Sequence, residues 1–492
     1  MTLSGEACGL TRFWRVISPF GLSLWACSFL CFAGQAPRDA HIPWQGGNET
    51  RFHKELSQTS MYANLSSVDF TRVYSLGDLI DLGERRNPQT QIAWERAKQQ
   101  AALLGIARAS LYPFLTSAVV VGTGNEQILL GPAFAAQDIQ RAEPLLSLYY
   151  TIFDFGRREN AIDAAKFGSF ASNFAFNDVH QRVIFDVTAR YYELLGAKGE
   201  VEAAGASLKN AQTVQDAVEA RLKNGLATLP DALEARAATA QATYDLERAR
   251  GAERIAQGRL AEAVDVPPTQ TLLVEDISKA FTIQDLREPV DNAIQRALQQ
   301  RPDLLAQMAK VDSAHADTKE ARSNFYPTFS FDGYVGREWL RGTQTGDSTV
   351  YQNGPAWLAE LQLKWTIFDG RERNRSLDLA KAQENEAKSQ LALLQEQAQV
   401  EVWTAYSNVQ IALRQLDAAN AFQEAAANSY AAVLEAYRYG VKNFLDMTSS
   451  QHTLAQAQTA LVQAKATLLT DVADLAFQTG DLLKAGGVAR NP

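Results

Sequence analysis

Apolar and polar positions alternate with a period of two in residues 357–368. Trp357, Ala359, Leu361, Leu363, Trp365 and Ile367 fall on one face and Leu358, Glu360, Gln362, Lys364, Thr366 and Phe368 on the other. An apolar face opposed to a mostly polar one predicts a strand that separates two environments. Just upstream, Phe329, Phe331, Gly333 and Val335 oppose Thr328, Ser330, Asp332 and Tyr334, and earlier still Leu146, Leu148, Tyr150 and Ile152 oppose Ser147, Tyr149 and Thr151. A fourth segment, 114–124, alternates poorly. Polar loops are expected at about 125–143 and 341–355 within each strand pair. Strands of about ten residues are long enough to cross a bilayer when tilted. Four strands cannot close a barrel, and an open edge in lipid leaves backbone groups unpaired, so a membrane reading requires several copies; three would supply twelve strands.

Elsewhere the period lengthens. Residues 371–439 contain neither proline nor glycine, the two residues most costly inside a helix, and predict one continuous helix roughly 100 Å long. Within it Leu391, Leu394, Ala398, Val402, Ala405, Val409, Ala412, Leu416 and Ala419 are spaced alternately by three and four. That is the 3.5-residue coiled-coil period, in a narrow, Ala-rich seam expected to be satisfied only by another chain.

The pattern is stated twice. The segment "ARASLYP" ending at Pro113 returns as "ARSNFYP" ending at Pro327, and "TIFD" ending at Asp154 returns at Asp369, about 215 residues later. Gly225 and Asp231 return at Gly440 and Asp446. A period this long marks a duplicated supersecondary unit. Each copy predicts a short helix ended at Asn87-Pro88 or Arg301-Pro302, a second helix stopped by Tyr112-Pro113 or Tyr326-Pro327, two strands, a long helix, a glycine turn and a returning helix. Asp154 and Asp369 stand where the N-caps of the long helices would be. The division expected is 1–33 leader, 34–73 extended arm, 74–286 first repeat (strands about 113–124 and 145–154, long helix about 156–224), 287–486 second repeat (strands about 327–337 and 356–368, long helix about 370–439) and 487–492 tail.

The first 33 residues read as an export signal: Arg12 and Arg15 precede an apolar run ending at Ala33. Cleavage near Ala33 is one reading; the other takes Leu24-Trp25-Ala26-Cys27 as a lipoprotein box with Cys27 acylated. All three cysteines, Cys8, Cys27 and Cys31, lie in this stretch, so the remainder has no disulfide or CxxC chemistry. A net charge of −9 and the lack of a Lys/Arg cluster interleaved with aromatics argue against a nucleic-acid partner. The five histidines are scattered, and no Walker A, HExxH or Ser/His/Asp pattern is present, so no enzyme activity, cofactor or metal is expected.

The "NP" and "RP" helix ends, both "YP" strand starts, both "FD" plus Gly/Arg helix starts and both glycine-to-aspartate turns, in this order and in duplicate, resemble the outer membrane efflux protein family typified by TolC. The resemblance covers about 73–484. It implies a mainly α protein with a membrane β-barrel portion: a homotrimer whose twelve-stranded barrel crosses the outer membrane and continues into a twelve-helix periplasmic α-barrel. The implied function is a passive exit duct of a tripartite efflux pump or type I secretion system. An inner-membrane transporter, of the resistance-nodulation-division or ATP-driven kind, drives it through a periplasmic adaptor (membrane fusion) protein. A periplasmic coiled-coil scaffold without a pore is the competing class, and a secreted pore former a further one. The resemblance also places Tyr437, Lys442 and Asp446 at the second turn and Asp231 beside the first, as a gate in which an ion pair such as Lys442 with Asp231 acts as a latch. Lys442 stands where the type member has Arg, and Ser449 replaces a second acidic position, which implies a looser constriction. Asp231 and Asp446 are also favoured helix caps in their own right.

Overall fold

The computed structural model describes residues 68–130, 133–275, 289–344 and 349–482. The leader with Cys27 and Ala33, most of the arm, part of the linker between repeats and the tail lie outside the described residues. The order is β1 (Val73–Tyr74), α1 (Leu76–Arg86), α2 (Pro88–Ala109), β2 (Phe114–Leu130), β3 (Ala133–Phe153), α3 (Arg157–Lys223), α4 (Leu229–Ala263) and β4 (Leu273–Val274), then α5 (Val290–Gln300), α6 (Pro302–Ser323), β5 (Thr328–Gln344), β6 (Thr349–Lys364), α7 (Glu372–Arg438) and α8 (Phe444–Thr479).

Local chemistry sets the helix boundaries. Ser75 and Asp78 form a reciprocal capping box at the start of α1. Asn87 then ends α1 and caps α2, its side-chain oxygen accepting from the Gln89 N–H at 2.8 Å, while Pro88 takes the first helical position, where a missing N–H is harmless. The long helices α3 and α7 are each 67 residues, about 100 Å at 1.5 Å per residue.

The four long strands make one antiparallel sheet in the order β2-β3-β5-β6, so the two hairpins join through β3 and β5. The strands are longer than their alternation indicates. Residues expected in polar loops continue the ladder, with Asn125 opposite Asp138 and Arg341 opposite Tyr351. Glycines and polar side chains on both faces of the distal part, among them Gly122, Gly124, Gly342 and Gly354, hide the period without breaking the backbone pairing. At the other end β6 stops at Lys364, four residues short of the expected Phe368. Its counterpart β3 keeps Thr151 and Phe153 paired with β5, across a register shift. The linker contributes β4, which pairs in parallel with β1 through Val73 with Leu273 and Tyr74 with Val274.

Among the described residues the helices bury four apolar clusters. The largest gathers Leu79 of α1, Val187 and Leu194 of α3, and Leu260 and Val264 from the end of α4. In α3, Gly196 and Gly199 let α8 come close: a Cβ there would lie 2.9 Å from the Ala466 Cβ and 2.7 Å from the Val462 Cγ1. The Ala-rich seam of α7 is satisfied inside the chain, contrary to the expectation above. Ala405, Val409 and Ala412 pack with Leu468 and Leu475 of α8, and Val402 is fully buried against Ala293 and Ala297 of α5. A short, antiparallel return after Gly440 brings α8 back over that face, so the seam needs no second chain.

Candidate functional site

Both turns at the far end of the helical body use the same device. After α3, Gly225 adopts φ +71°, the Leu226 N–H donates to the Arg221 carbonyl at 2.8 Å and the Gly225 N–H to the Leu222 carbonyl at 3.0 Å. After α7, Gly440 adopts φ +77°, with Val441 N–H on the Ala436 carbonyl at 2.8 Å and Gly440 N–H on the Tyr437 carbonyl at 3.0 Å. These are Schellman ends, and the left-handed residue is the reason each is glycine.

The acidic residues follow at the start of each returning helix. Thr228 caps α4, and the Asp231 carboxylate accepts from the Thr228 N–H at 2.9 Å and its hydroxyl at 2.7 Å. Those two bonds hold the Asp231 carboxyl below the usual carboxylate range. Asn443 caps α8, accepting from the Asp446 N–H at 2.8 Å. Lys442 turns to Asp446 on its own side of the turn, Nζ to Oδ2 3.5 Å, so within the chain the Lys442–Asp231 pair is not formed. An i,i+4 partner one helical turn away is nearer than one across the hairpins.

What joins the two turns inside the chain is Arg221, which sequence reasoning missed. Its Nη1 donates to the Tyr437 carbonyl at 2.7 Å and its guanidinium lies over the Tyr437 ring at 4.8 Å. Tyr437 is only 5% exposed, packed with Phe444 and Met447. Burial raises its phenol above the ordinary value, against a smaller lowering by Arg221, while Asp231 adds to the rise. A cavity of about 160 Å³ lined by Val214, Ala217, Arg221, Leu434, Tyr437, Arg438 and Met447 adjoins the pair, and the Arg221 Nε has no hydrogen-bond partner. No sequence signal marks this Arg, which reads as a cation complementing a helix C-terminus.

At the opposite end, Asp154 and Asp369 sit two residues before the N-cap positions, which are Gly156 at φ +81° and Arg371 at φ +74°. In each repeat two successive left-handed residues, Phe155-Gly156 and Gly370-Arg371, reverse the chain. The aspartate thereby reaches forward to the helix: Asp154 accepts from the Arg158 N–H at 3.3 Å and its Nε at 2.9 Å. Asp369 accepts from the Arg371 N–H at 3.1 Å, the Arg373 N–H at 3.3 Å and the Arg373 guanidinium. Phe155, a costly residue at positive φ, is stacked on Tyr326 at 5.0 Å.

Backbone register puts Leu115, Val119 and Val121 of β2 and Leu146 and Leu148 of β3 on the same face as Phe329, Phe331 and Val335 of β5 and Trp357, Leu361 and Leu363 of β6. Thr116, Ser147, Tyr334, Asp332, Glu360 and Gln362 share the other. No helix among the described residues is long and apolar enough to cross a membrane.

A duplicated helical body, a four-stranded sheet with one apolar face and capped turns at the distal end define a channel-forming outer-membrane protein. The outer membrane efflux protein family matches residues 79–265 and 293–481, and the chain belongs to that family. Protein CyaE of Bordetella pertussis is 26% identical over 351 residues, 71% of each chain. The pyoverdine export outer membrane protein OpmQ of Pseudomonas putida is 25% identical over 399 residues, 78% of this chain and 81% of its own. Among solved structures, the outer-membrane channel OprN superposes with a TM-score of 0.72 at 21% identity, covering 84% of this chain and 94% of its own. The CmeC channel of Campylobacter jejuni gives 0.69 at 20% identity, covering 82% and 85%. The protein is therefore an outer-membrane efflux duct with a TolC-like fold, mostly helical, its helices extending into the periplasm.

Proposed function

We propose that three copies of this chain close into a twelve-stranded barrel in the outer membrane and a twelve-helix periplasmic tube, through which substrates pass without chemical change. The observation that carries this is the open sheet: β2 and β6 each have a neighbour on one side only, and unpaired edges are not viable in lipid. Pairing β2 of one copy with β6 of the next removes every edge. A second surface supports it, because α7 shows an apolar stripe on the side away from its buried seam: Leu379, Leu393, Val400, Trp403, Ile411 and Phe422 are exposed.

The apolar sheet face then meets lipid and the polar face lines the lumen. The gate lies at the turns around Asp231, Tyr437, Lys442 and Asp446, with Arg221 holding the two hairpins of each copy together. Lys442, exposed, and Asp231, half-buried, exchange their partners within the chain, Asp446 and Thr228, for one another across neighbouring copies, where such a pair is worth only about 0–1 kcal/mol, a tie that a docking adaptor can open. The adaptor couples the duct to an inner-membrane transporter that supplies the energy. Relatives of this chain are named for pyoverdine export and for cation efflux, so substrate choice is assigned to the transporter and adaptor. Single-channel conductance of the reconstituted protein tests the gate. Asp231→Ala with Lys442→Ala should raise the conductance and weaken cation preference; unchanged values would leave Asp231 as the capping-box partner of Thr228 alone.

A further inference from the structure

The apolar sheet face carries an unexpected pair of cations. Arg337 and Arg341 of β5 alternate with Trp339 on the same side as Phe329, Phe331 and Val335. Ten residues separate Phe329 from Trp339, about 34 Å of strand, or roughly 26 Å of height at a 40° tilt. That equals the height of the apolar band of an outer-membrane barrel, about 25 Å. The two arginines therefore flank the upper border of the band, on the side of the β5–β6 hairpin and away from the helices.

Aromatic and polar groups surround them. The Arg337 guanidinium lies 5.8 Å from the Trp339 ring centre and its Nε donates to the Asn353 side chain at 2.7 Å. Arg341 lies 5.8 Å from the Tyr351 ring. Cross-strand neighbours on this face are Gln140, Ala142 and Pro144 of β3 and Tyr351, Asn353 and Pro355 of β6. Among the described residues of the sheet, the carboxylate on this face is Asp138, opposite Thr343, and it is held by the Asn125 amide at 2.5 Å. Among the described residues neither arginine has an ion pair. Between the two aromatic-bearing rows runs a trough of about 720 Å³, lined by Val121, Thr123, Trp339, Arg341, Tyr351 and Asn353 among others.

The geometry points to a binding site for the phosphorylated headgroup of a lipid in the outer leaflet, the acyl chains lying down the apolar face below it. This rests on the outward direction proposed above for that face. An arginine fork suits phosphate oxygens, Trp339 and Tyr351 suit the headgroup level, and the desolvated border of a membrane strengthens the attraction compared with open water. A soluble anion would find no reason for the adjoining apolar run of Val335, Val121 and Trp357.

Native mass spectrometry of the detergent-extracted full-length protein tests it, with added diphosphoryl lipid A and its dephosphorylated form as probes. The phosphorylated lipid should bind at least tenfold more tightly than the other. R337Q with R341Q should abolish that preference, R337K with R341K should keep part of it, and R141Q, on the opposite face beside Glu143, should leave it intact. Particle mass and conductance of each variant, measured on the same preparations, report folding. Equal preference in the double glutamine variant would overturn the site while leaving the duct reading standing. Loss of preference in R141Q alone would overturn both the site and the facing of the sheet.

Discussion

Helices α3 and α7 are repeats of one another, equal in length, and yet they live in different surroundings. α3 is enclosed: α1, α2, α4, α6 and α8 all pack on it, and Gly196 and Gly199 yield to α8. α7 touches α5, α6 and α8. Its apolar residues divide into two sets, one around Val402, fully buried, and one around Val400, 64% exposed. Two residues along a helix turn the side chain by about 200°, so these neighbours report opposite faces. Spacings of seven and eleven keep Leu393, Val400, Ile411 and Phe422 on one side. The enclosed helix shows how a duplicate looks when its neighbours are in the chain; the other keeps an exposed apolar face, the one proposed above to meet the next copy.

That contrast is broken most severely at Val402. Val402→Asp buries an unpaired charge within the chain and should unfold the helical body, a loss of several kcal/mol, seen as reduced helical circular dichroism. Val400→Asp with Ile411→Asp should leave the helix content unchanged and abolish the oligomer. If both variants lose the oligomer alone, the seam is intermolecular after all.

The sheet offers the same test across adjacent residues. Leu361→Arg sets a charge toward lipid at a cost of about 2–4 kcal/mol and should prevent assembly in the membrane fraction. Gln362→Arg points the other way and should assemble normally. Equal assembly would show that this face of the sheet does not meet lipid.

At the turns the difference is between Arg221, which ties one turn to the other, and Asp231 and Lys442, each of which bonds only within its own turn. Arg221→Ala removes a charge-assisted bond and a ring contact, together about 2–4 kcal/mol. It should lower the melting temperature and raise the conductance. Asp231→Ala with Lys442→Ala should change conductance with little effect on melting. The smallest effect expected is at Glu384, whose carboxyl is drawn down to about 2, first by Lys388 and then by Thr318 and His315, against partial desolvation. A depressed folded value means that the stabilisation is complete above the unfolded value near 4.3 and is lost as pH falls toward 2. Melting temperatures of the protein and of Glu384→Gln should therefore converge between pH 5 and pH 2.5; parallel curves would remove Glu384 from the acid response.

Much of this fold is legible in the sequence because its periods are long and stated twice: the proline-free helices, the Tyr-Pro stops and the Trp357 to Leu363 alternation each have one physical reading. What is not legible lies where two physical readings share one pattern. The Ala-rich seam has the same spacing whether its partner is α8 or another chain, and only the exposed set around Val400 separates the cases. Strand ends are hidden where both faces turn polar, as at Asn125 and Arg341. The cross-turn role of Arg221 depends on a tyrosine more than two hundred residues away, and the aspartates of the strand-to-helix joints act from two residues upstream because of left-handed backbone that Phe155 and Arg371 do not announce.

One chain is proposed to be a third of a closed duct. The number of chains in the detergent-extracted particle, measured by native mass spectrometry, tests it most directly, with Val400→Asp, Ile411→Asp as the control. Three chains per particle are expected for the unaltered protein and one for the variant. A stable, folded single chain that still inserts into bilayers and conducts would contradict it.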